Sequence, residues 1–314
     1  MFGAGVLVSI PSVRVLIVGC GYVGLPLGRE LARVGHDVSG IRLHADGSGE
    51  LRRAGINPIV ADITSPQCFE ALRGHFDWVI NTLSSNKGGA DEYRAVYFEG
   101  TARLVKWLST QAVTRYVYTS STSVYAQTDG SVVTEESPTE PESETSRMLI
   151  KTEDLLRAAT RDDKFPAVIL RVAGIYGPER GHLFQEFLRG EARMAGDGSR
   201  WLNMIHCDDV VRAIIAALEL GEPGEIYNVA DDEPVTQREF FSWLSDRLPM
   251  PIPPITGETE SRPRKRTVTN KRISNRKLRL ALGCELKYPT FRQGYSAEIA
   301  RLQAAGQLPV GAGQ

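Results

Sequence analysis

The sequence predicts an α/β fold: a doubly wound parallel sheet covered by helices on both faces, followed by a smaller C-terminal substrate lobe. Three observations carry that expectation. Short β-branched runs alternate with helical patterns from Val13 to Val172, the order that builds right-handed βαβ units. A GxGxxG pattern stands directly after the first run and opens the first helical pattern. Beyond Val172 the alternation becomes irregular, as in a second, smaller lobe.

In order, the strands are expected at "VRVLIV" (13–18), "HDVSGI" (36–41), "NPIVA" (57–61), "DWVINTL" (77–83), "VTRYVYTS" (113–120) and "PAVILRV" (166–172). Helical stretches lie between them around 22–34, 66–73, 91–110 and 145–160. The second part offers a helix near 206–220, a strand at "EIYNVA" (225–230), a helix at 236–247, and helical stretches near 272–282 and 291–304. Residues 249–266 read as a proline-rich, then basic, loop. No internal repeat is evident.

Composition narrows the function classes. Among 314 residues, 37 basic side chains face 38 acidic ones, so no global field draws the chain to nucleic acid or an anionic membrane. A small-molecule partner is the expectation. Cys20, Cys68, Cys207 and Cys284 are scattered and form no CxxC pair, which suggests neither a disulfide framework nor a zinc site. Reduced thiols point to the cytoplasm. The apolar stretch from Met1 to Leu27 lacks a basic start and is broken by Ser12, Arg14 and glycines, so it reads as a leader over 1–12 and then a buried strand.

The glycines Gly19, Gly21 and Gly24 are those a dinucleotide needs for a tight turn, a close approach of backbone to diphosphate, and contact between helix and strand. Tyr22 and Val23 belong to the same loop, and the helix N-terminus offers N–H groups to phosphate oxygens. A Rossmann-type unit is therefore expected over 1–172, a substrate lobe over 173–304 and a flexible tail over 305–314. An NAD site usually carries an acid about 20 residues beyond the last glycine. Here Arg42 lies 18 residues past Gly24, and no carboxylate follows until Asp46. A guanidinium suits a 2′-phosphate, which favours NADP, with NAD as the alternative if Arg42 is only a solvated surface arginine.

With these glycines, "VADI" (60–63), "NTLSS" (81–85), "YTSSTSVYA" (118–126), "LRVAGIYGP" (170–178), "NMIHCDDVVRAI" (203–214) and "IYNVADDEPVT" (226–236), the chain resembles the short-chain dehydrogenase/reductase superfamily. The likeness is to its extended, nucleotide-sugar epimerase/dehydratase type and atypical relatives, and it runs over nearly the whole chain. It implies adenine contacts at Asp62 and Ile63, cofactor neighbours at Leu83 and Ser84, and a nicotinamide-bordering loop at Ile175, Tyr176 and Pro178. It also implies a catalytic serine at Ser121, four residues before Tyr125. His206, Asp208 and Asp209 match a segment read as structural, with a carboxylate capping a helix. The helices at 91–110 and 145–160 are expected, on the resemblance alone, to pair across a homodimer interface.

One feature of the family is missing. Its proton donor is a tyrosine in YxxxK, and none of the ten tyrosines here has lysine four residues on. Matching Glu153 and Leu155–Leu156 to the family's helix puts Thr145 at the tyrosine position and Leu149 at the lysine position; anchoring on Lys151 puts Arg147 at the tyrosine position instead. The site residues carried forward on that helix are Thr145 and Lys151, with Arg147 and Lys151 on one face as an electropositive surface for the cofactor, or else a solvated basic stripe. Gly174 stands where the family has a substrate-holding asparagine, and Lys271–Arg272 or "RPRKR" (262–266) are candidates to compensate. Two functions follow: an NAD(P)-dependent oxidoreductase or epimerase relying on Ser121, or a non-catalytic NADP(H)-binding sensor or interaction protein.

Overall fold

The computed structural model describes residues 12–72, 74–85, 88–256 and 269–308. The expected leader, Ser12 apart, lies outside the described residues, as do the basic run at 262–266 and the end of the expected tail.

Seven parallel strands form one sheet: β1 (Arg14–Val18), β2 (Asp37–Arg42), β3 (Ile56–Val60), β4 (Trp78–Asn81), β5 (Arg115–Ser121), β6 (Ala167–Val172) and β7 (Ile226–Val229), in the order β7-β6-β5-β4-β1-β2-β3. The strand order reverses between β1 and β4, so a crevice opens at the carboxyl ends of those two strands. Alternate residues of β1 feed opposite faces. Val15 and Ile17 pack with α1 (Gly24–Arg33) and α4 (Cys207–Leu220), while Leu16 and Val18 pack with α2 (Gly100–Leu108) and α3 (Glu144–Asp163).

All six strands expected before residue 172 form. The expected helix at 91–110 is a composite: Ala90–Tyr93, one π-helical turn over Arg94–Glu99, then α2. The stretch near 66–73 is a 3-10 helix over Pro66–Ala71. Part of the chain expected as a smaller lobe packed beside the sheet belongs to the sheet layer itself, because α4 covers one face and β7 joins the edge beside β6. What remains outside has its own aromatic core, with Phe184, Phe187, Phe240, Phe241, Phe291 and Tyr295 buried. All four cysteines are buried thiols. No described helix is long and apolar enough to cross a membrane.

Candidate dinucleotide and carbonyl site

The glycine loop leaves β1 and reaches α1 in five residues, and each glycine answers to a different constraint. Gly19 has φ +93°, and a Cβ there would stand 2.8 Å from the Leu83 nitrogen. Gly24 lies so close to the loop that a Cβ would meet Gly19 O at 2.8 Å and Ile17 at 2.9 Å. Gly21 is different: it has no positive φ, and nothing lies within 4 Å of a Cβ built on it. Neither strain nor internal packing requires glycine there, so the space above it is open to an outside group. Next to it α1 begins without a side-chain cap and without an acid in its first turn. Uncapped N–H groups beside an open glycine fit a diphosphate.

Arg42 ends β2 beside this loop. Its Nε donates to the Cys20 carbonyl at 2.6 Å, and its NH2 donates to Glu50 at 3.1 Å. The guanidinium is thus fixed between the glycine loop and Glu50. Glu50, on the helix Ser48–Arg53, is a carboxylate there that spacing along the sequence did not reveal. Asp62 is exposed and accepts from the Thr64 amide and hydroxyl, whereas Ile63 is buried in the core, which leaves only its backbone for a ligand. Leu83 abuts Gly19, and Ser84 beyond it is exposed. Thr82 ties the two loops by donating to Gly19 O at 2.9 Å.

Ser121 closes β5 with its side chain half-buried, and its Oγ accepts from the Ser123 amide at 3.2 Å. That bond uses the oxygen as acceptor and leaves the hydroxyl hydrogen to be donated. Thr145 is half-buried in the first turn of α3 and donates to Ser143 Oγ at 3.3 Å. Lys151 departs from expectation. It is exposed, as is Arg147, because α3 turns Ser146, Leu149, Thr152 and Glu153 inward. The α3 side chain that touches the Ser121 loop is Ser146, 3.2 Å from Ser123 Oγ. The Arg147–Lys151 face is therefore a solvated stripe on the outside of the helix.

Tyr176 also departs from the expected cofactor contact. Its ring is buried, stacked on Tyr295 with centroids 4.3 Å apart, and packed against Gly294. Ile175 beside it is half-buried on the short strand Gly174–Tyr176, which pairs with Met204–His206. The loop beyond does approach the glycines. Tyr22 donates to Pro178 O at 3.0 Å, the Cys207 thiol donates to Tyr22 O at 3.5 Å, and the exposed Arg180 guanidinium lies 4.8 Å from the Tyr22 ring centre. Glu179 holds a left-handed φ of 61° in that turn. Arg180 was invisible to sequence reasoning, because its place over the glycine loop depends on two segments separated by the whole sheet. Val23, the residue before α1, is half-buried at the same junction.

Two further features anchor the Ser121 loop from behind. Ser120 donates to Glu153 at 2.6 Å, Arg171 pairs with Glu153 at 2.7 Å and donates to the Tyr125 oxygen at 2.8 Å, and Tyr125 donates to Asn228 at 2.7 Å. Lys271, 5% exposed, donates to Tyr125 O and to Thr269 Oγ1, each at 2.8 Å. Arg272 donates to Gly130 O and covers Trp201 at 5.1 Å. Both cations expected to compensate for Gly174 are thus committed to protein partners. The carboxylates of "HCDD" do not cap α4 either; the His206 imidazole does, accepting from the Asp208 amide, while Asp209 accepts from the Lys287 and Tyr288 amides.

Burial pushes the Lys271 ammonium down to about 8 from an unfolded value of 10.5. Its destabilising cost is full below pH 8 and is relieved as pH rises toward 10.5. In urea unfolding, the wild type is expected to gain stability relative to Lys271→Met across that window. Parallel stability curves for the two proteins would refute it.

Comparison with known proteins agrees with this architecture. The model of the NAD dependent epimerase/dehydratase family matches residues 15–230. Protein YeeZ of Escherichia coli is 30% identical over 285 residues, covering 88% of this chain and 96% of that protein. A 3-diazoavenalumate denitrifying reductase from Streptomyces sp is 26% identical over 310 residues, covering 91% of this chain and 100% of its own. The solved dTDP-glucose 4,6-dehydratase DesIV of Streptomyces venezuelae, with NAD and TYD bound, superimposes with a TM-score of 0.78 at 22% identity, over 93% of this chain and 97% of that one. At that identity the likeness speaks for the fold.

Proposed function

Because this chain belongs to the NAD dependent epimerase/dehydratase family, we propose that it is an NAD(P)-dependent oxidoreductase or epimerase acting on a small carbonyl or sugar-type molecule, with NADP favoured. The observation that carries the reading is Gly21, a glycine with no internal reason to be one, beside the uncapped start of α1. In this reading the loop amides hold the diphosphate and Arg42 pairs with the 2′-phosphate, sharing itself with Glu50. When bound, the nicotinamide supplies or accepts a hydride. Ser121 donates to the oxygen of a carbonyl beside it, where negative charge develops. A relative of similar length that is named as a reductase supports the reading.

Fluorescence titration with NADPH and NADH tests the cofactor assignment. Arg42→Ala is expected to weaken NADPH about 10-fold or more, the loss of one charge-assisted bond of about 1.5–3 kcal/mol, with little effect on NADH. Equal affinities for the two cofactors, unchanged by the substitution, would remove the NADP preference. Ser121→Ala is expected to lower turnover of a carbonyl substrate by about 100-fold or more while leaving NADPH affinity intact. Retained turnover would sink its role.

A second reading, a dinucleotide-binding sensor without turnover, is favoured by one observation: α3 presents no phenol, and its Lys151 points to solvent. Tight NADPH binding with no cofactor consumption over a broad panel of carbonyls and nucleotide sugars would select it.

A further inference from the structure

The turn that follows Tyr176 carries a cation to the glycine loop. Gly177, Glu179 and Gly181 hold left-handed φ values of 143°, 61° and 123°, conformations costly to any residue other than glycine, Glu179 among them. Packing holds the turn in place. A Cβ on Gly177 would meet the Tyr22 hydroxyl at 3.0 Å and His206 Nε2 at 3.2 Å, and one on Gly181 would meet the Tyr295 hydroxyl at 2.9 Å. The Tyr22 hydroxyl in turn donates to Pro178 O. The turn is wedged between the glycine loop, the start of α4 and the helix Phe291–Ala304, so Arg180 leaves it from a fixed backbone.

The guanidinium delivered there is unanswered. It lies 4.8 Å from the centre of the Tyr22 ring and makes no hydrogen bond or ion pair among the described residues. The acids whose charge reaches Tyr22 are matched elsewhere, Glu298 by Arg301 and Asp208 by Lys287, each at 2.8 Å. Glu179, next in sequence, is within reach of Arg301. The Tyr22 carbonyl accepts from the Cys207 thiol. Burial pushes that thiol up to about 12 and the Arg180 charge pulls against the rise, so the guanidinium is near the loop backbone as well as over the ring. Gly21, the glycine open to an outside group, is thus flanked by two residues that each meet an arginine. Cys20 holds Arg42 through its carbonyl, and Tyr22 holds Arg180 through its ring. Arg42 is shared with Glu50, whereas Arg180 is shared with no acid. The first turn of α1 adds no negative charge.

We propose that Arg180 is a ligand of the dinucleotide diphosphate, reaching it from the Tyr22 side of Gly21; the inference rests on the function proposed above and adds a residue to that same site. A planar guanidinium pairs with two phosphate oxygens at once, and its stack on Tyr22 fixes the plane while leaving the N–H edge free. NADPH and NADH share the diphosphate, so Arg180 strengthens the binding of both, whereas Arg42 tells them apart.

The test titrates the full chain with NADPH and NADH by fluorescence, and with 2′-AMP, which has the 2′-phosphate but no diphosphate, as a displacing probe. Arg180→Met, which keeps an apolar stem against Tyr22, is expected to weaken NADPH and NADH alike by about 10-fold or more, with 2′-AMP affinity and melting temperature unchanged. Arg180→Lys is expected to fall between the wild type and Arg180→Met. Added salt is expected to weaken NADH binding by the wild type more than by Arg180→Met, because the variant has one charge contact fewer to screen. Wild-type affinities in a folded Arg180→Met protein, an equal loss of 2′-AMP, or the same salt dependence in both proteins overturns the assignment. A melting temperature that falls together with the affinity makes Arg180 a support of the turn and overturns it too. A wild type that binds neither dinucleotide overturns the proposed function itself, and is told apart because no variant is needed to see it.

Discussion

Gly21→Val is expected to weaken dinucleotide binding severely without unfolding the protein. The substitution meets no atom within 4 Å at its Cβ, and Gly21 has no left-handed φ that a branched side chain would strain. Stability is therefore expected within about 0.5 kcal/mol of the wild type, as for a surface change away from special features. The isopropyl group fills the volume through which a diphosphate reaches the loop amides. Affinity for NADPH and NADH is expected to fall by about 100-fold or more, roughly 2.7 kcal/mol. A thermal melt and a fluorescence titration on the same sample check both halves. Gly19→Val is the contrasting case: φ +93° and the Leu83 backbone at 2.8 Å make it a folding defect. Undiminished binding by folded Gly21→Val would leave that loop without its ligand.

Arg171→Ala is expected to produce the largest loss of stability, about 3–5 kcal/mol. Arg171 and Glu153 have side chains only 5% and 3% exposed. Removing the guanidinium leaves a buried carboxylate whose remaining donor is Ser120, and it also takes a donor from Tyr125. A loss of that size is a large share of the 5–15 kcal/mol typical of folded domains. Replacing both partners, as in Arg171→Met with Glu153→Leu, is expected to cost much less, because no charge is then stranded. Urea unfolding of the two proteins measures the difference. A single variant within about 1 kcal/mol of the wild type would show that the pair does not hold the loop between Ser120 and Tyr125.

Much of this was legible beforehand because it is local. The β-branched runs that became β1 to β6 and the glycines that turn the chain after β1 state their geometry in adjacent residues. The resemblance to the epimerase/dehydratase type is likewise borne out by the family match. The places where sequence reading and structure part are those decided by facing. Arg147 and Lys151, four residues apart, share a face of α3, but only packing against β5 shows that this face is the outer one. Tyr176 sits in a motif that suggested a cofactor contact, yet its ring is claimed by Tyr295 and Gly294 from a helix more than a hundred residues away.

The sequence alone determined the alternation that makes a doubly wound sheet, the glycine loop, the arginine at the end of β2, the serine at the end of β5 and the absence of YxxxK. Those are matters of residue type and short spacing, which backbone sterics and periodicity translate directly into structure. Only the tertiary structure decided that α4 and β7 return to the sheet, that Glu50 engages Arg42, and that Arg180 lies over Tyr22. Each of these depends on strand order and register, which set distant segments side by side through burial of surfaces that no short stretch of the chain contains.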